Sequence, residues 1–324
     1  MTEIRFICPD CEHELERDGG GLRCAQGHTF AATSDGILDL LPHVVPDSLR
    51  SEAAYHGSLA GEWIALNQLD APRNQFYHQA IIDFIAARAT EASNVLEIGG
   101  GPGFDLRSFL ASGTPFEHYV FSETSVGLTA HALRESAQVA AARGVRAKVI
   151  FCTIEVEHIP LASAQFDFAF LIAVLHRVPH PEQALSELAR VTAPGGHVLL
   201  GIEPNRFWAK ATAVAGRLVR RVLLTRPHSQ VDEAGNGFTV AQLEEIGSRC
   251  GLSLVGLSPV WLICGFVHHG LELLYRLLRL KRRIVLPPQL EQAIVRLDEA
   301  LLRFPGTRRL AWHYTAMFRK WRRD

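Results

Sequence analysis

The chain has 324 residues, 48% apolar and 21% charged, with a net charge of −1. That balance excludes broad disorder and leaves room for one large α/β domain with insertions, or for two domains. No stretch reaches the roughly 18 uninterrupted apolar residues of a transmembrane helix, and Ile4–Asp10 lacks the apolar core of a signal peptide. Six cysteines, three of them clustered near the start, predict a metal site in a reducing, cytoplasmic setting rather than a disulfide framework. The near-zero charge hides a split: residues 204–324 carry 20 Lys/Arg against 9 Asp/Glu, leaving 13 against 25 before them. Such asymmetry suits either a solvated helical surface or a face for an anionic partner.

The first element is a knuckle. Cys8-Pro-Asp-Cys11 and Cys24-Ala-Gln-Gly-His28 give C-x2-C-x12-C-x3-H, with Gly19-Gly20-Gly21 turning between the pairs. Cys8, Cys11, Cys24 and His28 therefore predict a closed tetrahedral site for structural Zn²⁺. Short strands are expected at Ile4–Ile7, Leu22–Arg23 and Thr29–Phe30. This segment resembles the zinc ribbon at the front of the bacterial 23S rRNA guanine-N1 methyltransferases. It is also similar to ribbons of the tRNA-methyltransferase activator type, which close on a phrase like Asp35–Pro42. The ribbon is expected over residues 1–42.

Residues 43–93 are read as a linker and entry helices. His43–Arg50 is the linker, and Ser51–Leu69 has helical spacing in Tyr55, Leu59, Trp63 and Leu66. Asn74–Ala89 is a clearer amphipathic helix that buries Phe76, Ala80, Ile81, Phe84 and Ile85. Tyr77 and His78 lie on it, as ordinary half-buried residues or facing a ligand.

Asn94–Asp105 reads N-V-L-E-I-G-G-G-P-G-F-D, an apolar strand breaking into a glycine-rich turn that opens a helix. Phe104 stands where dinucleotide folds place their last glycine, so the spacing is E-x-G-x-G-x-G. This stretch resembles motif I of the class I S-adenosylmethionine (SAM) methyltransferases. The resemblance implies a Rossmann-like sheet, a cofactor held by Glu97, Gly99, Gly101 and Gly103, and a cofactor-covering helix before the motif.

The second strand, His118–Ser122, ends at Glu123 with Thr124 beside it. An acid about 20 residues past the glycine turn is placed to accept hydrogen bonds from ribose hydroxyls. After a helix over Ser125–Arg143 and a strand over Lys148–Cys152, Glu155-Val-Glu-His-Ile-Pro160 is similar to the family's adenine-contacting phrase. That similarity implies Glu155 as the acid and Val156 beside the ring, with Glu157 as competitor.

Phe166–Ala173 is an apolar strand suited to burial on both faces. Val174–Pro181 matches the family's Leu-His-x-Val-x-x-Pro motif, with Arg177 where relatives often carry a second histidine. His176 thus falls at the carboxyl end of a central strand, as a general base or as a support for its loop. Nucleobase-amine and glutamine methyltransferases typically carry an Asn-Pro-Pro-Tyr phrase, which is missing here. A helix from Pro181 stops at Pro194-Gly195-Gly196, and the fifth strand, His197–Ile202, leads to Glu203, the other candidate base.

The C-terminal third is basic and helical. Phe207–Leu224 sets Phe207, Trp208, Ala211, Val214, Ala215, Leu218, Val219 and Val222 along one stripe, with no acid between Arg206 and Arg226. Such a helix suits a membrane surface or an anionic amphiphile, and a lid over an active site is the preferred reading. Phe238–Gly251 is a capped helix and Leu252–Ser258 a sixth strand. Helices at Leu262–Leu280 and Pro288–Phe304 precede a last strand at Trp312–Phe318. His268 and His269 diverge on their helix, as adjacent residues must, and are read as helix surface and pocket wall.

The combined expectation is an α/β protein with a seven-stranded SAM methyltransferase sheet, an N-terminal zinc ribbon and helical C-terminal insertions. The catalytic domain is expected over 94–324, with insertions at about 204–236 and 260–307. The expected function is SAM-dependent methyl transfer to a small-molecule acceptor, natural-product or lipid-like. The alternatives are an rRNA guanine-N1 methyltransferase, favoured by the ribbon and the basic face, and a SAM-binding non-catalytic partner subunit. Peripheral membrane contact is a further expectation for the basic helix.

Overall fold

The computed structural model describes residues 3–45, 54, 61, 72–144, 148–223, 236–278, 280 and 284–322. Apart from residues 54 and 61, the expected helix over 51–69 lies outside them, as does the end of the one expected through Leu224.

The ribbon is a four-stranded antiparallel sheet of β1 (Phe6–Ile7), β2 (Glu14–Asp18), β3 (Gly21–Cys24) and β4 (Thr29–Ala31), in that order. The strand β2 carries no sequence signal of its own. Its E-L-E-R-D buries only Leu15, so it shows no apolar alternation to find. The ribbon then runs into β5 (Leu38–Asp39), which joins the main sheet instead of ending the unit.

That main sheet holds β6 (Asn94–Ile98), β7 (His118–Ser122), β8 (Lys148–Thr153), β9 (Phe166–Ile172), β10 (Thr192–Pro204), β11 (Leu252–Val260) and β12 (His313–Lys320). Their order is β11-β12-β10-β9-β6-β7-β8-β5. These seven are the expected strands, with β12 antiparallel between β10 and β11. The eighth, β5, is two residues long and pairs parallel to β8 through Leu38 and Asp39. Side chains of β6 alternate between faces as a strand requires. Leu96 and Ile98 join the core shared with the ribbon, and Val95 joins the core on the opposite face.

The helices are α1 (Pro72–Ala86), α2 (Phe104–Ser112), α3 (Val126–Arg143), α4 (Pro181–Val191), α5 (Arg206–Leu223), α6 (Val240–Arg249), α7 (Ile263–Leu277), α8 (Pro288–Leu301) and the single turn α9 (Pro305–Arg308). α1 opens on a proline, whose missing N–H costs nothing in the first turn. It buries Ile81, Ile82 and Ile85 against Val95, Tyr119 and Leu199. α6 is capped by Thr239, which accepts from Gln242 N while the Gln242 side chain returns to Thr239 N.

The sheet reverses its winding between β6 and β9, and the crevice outside the carboxyl ends of these strands is where such sheets hold ligands. Gly99–Gly103, Glu123, Glu155 and His176 all follow the ends of parallel strands, and Glu203 is the next-to-last residue of β10. None of the described helices is long and apolar enough to cross a membrane.

Candidate active site and zinc centre

The glycine turn leaves β6 after Ile98 and enters α2 through Gly103, which takes a left-handed conformation at φ 76°. A Cβ at Gly103 would sit 2.6 Å from the Ala132 methyl of α3, so the close approach of α2 and α3 requires glycine. Gly101, at φ +53°, faces open space: a Cβ there would meet nothing within 4 Å. Gly99 also lies at positive φ. The turn therefore offers bare backbone to a ligand.

Glu123 is tied to this turn. One carboxylate oxygen accepts from Gly101 N at 3.1 Å, and the other accepts from Ser125 N at 3.2 Å and the Thr124 hydroxyl at 3.1 Å. Beneath the turn, Glu97 is buried. One of its oxygens takes the Tyr119 hydroxyl at 2.5 Å, and the other is enclosed without a hydrogen-bond partner. Burial, followed by the neighbouring Asp105 charge, holds the Glu97 carboxyl well above the usual range. Asp105, in the first turn of α2, pairs with His78 Nδ1 at 2.7 Å, and the His78 ring lies 4.5 Å from that of Phe104. His78 is thus a buried partner of the turn's helix rather than a loose surface residue.

The loop after β8 separates the two competing acids. Glu157 accepts from His180 N at 2.6 Å, and its backbone carbonyl takes the Gln183 amide at 3.1 Å, so it is engaged at the start of α4. Glu155 stays at the strand end, with its carboxyl raised by burial, and Val156 is buried in the core shared with the ribbon.

At the end of β9 the chain turns through Ala173, at φ 57°, and β10 is bent through Ile202, at φ 60°. Left-handed conformations at non-glycine residues are strained and tend to gather at functional sites. Together these bends set Glu203 under the Leu175–Arg177 turn. Its fully enclosed carboxylate accepts from Leu175 N, His176 N and His176 Nδ1, each at 3.0 Å. A group so enclosed cannot itself reach an acceptor.

An aromatic cluster lies close enough to His176 for its charge to act on His313. Tyr77 of α1 packs 4.5 Å from Trp261 and 5.5 Å from His313, and Trp261 lies 5.6 Å from His313. Burial, then the nearby His269 and His176, push His313 down to about 3. Trp261 Nε1 and His313 Nδ1 are enclosed without hydrogen-bond partners. No local spacing links Trp261 and His313, which are 52 positions apart in the chain. Only the antiparallel placement of β12, in which Trp312 N donates to the Trp261 carbonyl at 2.8 Å, brings them together. His268 stacks over Trp261 at 5.3 Å and His269 on Trp312 at 4.4 Å, so the two histidines diverge as expected.

In the ribbon, the ligand atoms of Cys8, Cys11, Cys24 and His28 lie within 4.8 Å of one another. Cys8 Sγ is 3.4 Å from His28 Nδ1, and Cys24 Sγ is 3.6 Å from both Cys11 Sγ and His28 Nδ1. Tetrahedral zinc with Zn–S of about 2.3 Å and Zn–N of about 2.0 Å has edges of roughly 3.5–3.8 Å. The four residues fit Zn²⁺, and with every position filled by protein the site is structural.

The donor set at the sheet fits SAM on its own terms. Exposed glycine backbone suits a close-lying ligand, the Glu123 carboxylate suits a diol, and the acidic side chains Asp105 and Glu123 suit a ligand bearing sulfonium and ammonium charges. Comparisons with known proteins agree. Residues 71–257 match the methyltransferase domain family, and residues 6–45 match the RlmA N-terminal zinc ribbon. An uncharacterized 37.1 kDa protein in transposon TN4556 of Streptomyces fradiae is 27% identical over 240 residues, 72% of this chain and 60% of that protein. The ubiquinone/menaquinone biosynthesis C-methyltransferase UbiE of Stutzerimonas stutzeri is 26% identical over 173 residues, 52% of this chain and 65% of that enzyme. The chain thus spans less than two thirds of the length of these relatives. Among solved structures, Haemonchus contortus phosphoethanolamine N-methyltransferase 2 in complex with S-adenosyl-L-methionine aligns with a TM-score of 0.52 at 18% identity, covering 87% of this chain and 62% of that one. That likeness is one of fold. On the family match, the ordered motifs and the site geometry, the chain belongs to the class I SAM-dependent methyltransferases and carries an RlmA-type zinc ribbon at its front.

Proposed function

We propose that this methyltransferase acts on a small, lipid-like or natural-product acceptor, with His176 as the base for acceptors that must lose a proton. SAM, when bound, supplies a methyl group already electrophilic on its sulfonium. The protein's part is to align the acceptor and keep water out. Glu97, Gly99, Gly101, Gly103, Glu123 and Thr124 are proposed to hold the cofactor's polar groups, and Glu155 and Val156 to border its adenine. Glu203 is a positioning residue: by accepting from His176 Nδ1 it leaves Nε2 to receive a proton. On this reading residues 1–42 form the bracing ribbon and 43–93 the lead-in. Residues 94–324 form the catalytic domain, with insertions at about 204–236 and 260–307 building the acceptor side.

The observation that carries the reading is the aromatic wall of Tyr77, Trp261 and His313 near His176. It suits a small apolar acceptor better than a nucleic-acid backbone, which demands rows of cations. The rRNA reading draws on the ribbon, but Phe6, Leu15, Leu22 and Phe30 of that ribbon are buried in the common core. The test incubates the chain with tritiated-methyl SAM and an extract of its host, then separates RNA, protein, organic-soluble and small polar fractions. Label in the organic-soluble or small polar fraction, lost in His176→Ala with SAM binding retained, supports the proposal. Label in rRNA would overturn it, and tight SAM binding without transfer would favour the non-catalytic partner.

A further inference from the structure

The basic helix expected to be a buried lid has its apolar stripe turned outward. Trp208, Ala209, Thr212, Ala213 and Gly216 make the inner face of α5: Trp208 stacks on Trp312 at 4.5 Å, its Nε1 donates to the Leu310 carbonyl at 2.9 Å, and Ala213 is buried. On the opposite side, Phe207, Ala211, Val214 and Leu218 follow one another at helical spacing. Phe207 is 65%, Val214 48% and Leu218 58% exposed. Arg206, Lys210, Arg217 and Arg221, all exposed, form a parallel row beside them. The helix's start is pinned, because the Asn205 side chain donates to the Arg309 and Ala311 carbonyls and accepts from Phe207 N.

A second helix repeats the pattern. α7 exposes Phe266, Gly270, Leu273 and Leu277 at the same spacing, with Leu274 beside them. The first residues of the two stripes flank one ring: Trp208 lies 4.8 Å from Phe207 and 5.0 Å from Phe266. Exposed apolar patches rimmed by charge mark interaction surfaces rather than ordinary solvated faces.

We infer that α5 and α7 form an interfacial platform that seats the protein on an anionic lipid bilayer, lying on it without crossing it. The charges choose the occupant. Acids are absent from the sequence between Arg206 and Arg226, so the row complements anionic headgroups, while the apolar stripe beside it enters the acyl boundary. A nucleic acid would use the cations but leave Phe207, Val214 and Leu218 without a partner. The platform adjoins the aromatic wall, since Trp312 under α5 is hydrogen-bonded to Trp261. Bilayer binding would therefore hold the acceptor side of the enzyme next to lipid.

The test is co-sedimentation of the whole 324-residue, zinc-loaded chain with vesicles of phosphatidylcholine, with and without phosphatidylglycerol. Binding to the anionic vesicles that weakens as salt rises is expected. The double variant Phe207→Asp/Leu218→Asp should lower the vesicle partition coefficient by about tenfold or more. Lys210→Glu/Arg221→Glu should lower it on anionic vesicles by about tenfold. All four positions are on the surface, so SAM affinity measured by calorimetry should match the unchanged chain and show that the variants are folded. Equal binding to neutral and anionic vesicles, no binding to either, or undiminished binding by the variants would overturn the inference. So would a dimer in lipid-free solution that Phe207→Asp dissociates, because the stripe would then belong to a second copy of the chain.

Discussion

Glu203 is fully enclosed and accepts three hydrogen bonds, all from two consecutive residues of another strand's loop. An ionised carboxylate is an acceptor only, so every contact it makes here is used to fix the Leu175–His176 turn and the His176 ring. Glu203→Gln keeps the volume but turns half of that acceptor into a donor, which must face an N–H or break a bond. We expect kcat to fall by about a hundredfold with the acceptor KM and the SAM affinity within about twofold. Steady-state kinetics with a labelled acceptor, alongside SAM calorimetry, checks this. A purely structural role would lower thermal stability and weaken SAM binding together with kcat. The same pair marks the limit of legibility at this scale. Cys8, Cys11, Cys24, His28 and the glycine turn could be read because their chemistry lies in local spacing. The division of labour between His176 and Glu203 could not be, because it depends on how far the bends at Ala173 and Ile202 bring two loops together.

Among the elements, the α7–α8 pair shows what periodicity reveals and what it hides. Both helices are legible in their apolar spacing, and the structure has them within a few residues of the expected bounds. Their junction is not legible. Asp298 of α8 has no exposed surface, and its carboxylate accepts from Leu262 N at 2.8 Å, Ile263 N at 2.6 Å and Cys264 N at 3.1 Å. It caps α7 from a distance of more than thirty residues, using a charge that also complements the helix N-terminus. A sequence window sees only a polar residue on a helix face. Asp298→Ala leaves three backbone donors unsatisfied in a buried place and should cost roughly 2–4 kcal/mol of stability, measured by urea unfolding. Because α7 carries His268 against Trp261 and His269 against Trp312, the acceptor KM should rise while SAM affinity holds. An unchanged unfolding midpoint would show that the cap is dispensable.

For the whole molecule, the deciding fact is that the ribbon and the catalytic sheet share one core. Ile4, Phe6, Leu15, Leu22, Phe30 and Leu40 are buried in the same cluster as Ile154, Val156, Ile159 and Leu161. Backbone bonds stitch the two parts: Ile7 N to the Pro160 carbonyl at 3.1 Å, Ala162 N to the Arg5 carbonyl at 3.0 Å, and Leu40 N to the Thr153 carbonyl at 3.2 Å. The segment gripped in this way, 154–161, contains Glu155 and Val156, the proposed adenine border. A ribbon that binds zinc folds with the metal and loses its order without it. Its loss would expose the apolar side chains under residues 154–161 and free both ends of that loop. Chelation of zinc, or Cys11→Ser, is therefore expected to lower the melting temperature of the whole chain within one cooperative transition and to weaken SAM binding by about tenfold. Scanning calorimetry and SAM titration of the zinc-loaded and zinc-free chains measure both effects. Two separate transitions with unchanged SAM affinity would mean that the ribbon is an independent appendage. A single transition with weakened binding would make the metal, although remote from the methyl acceptor, part of what shapes the cofactor site.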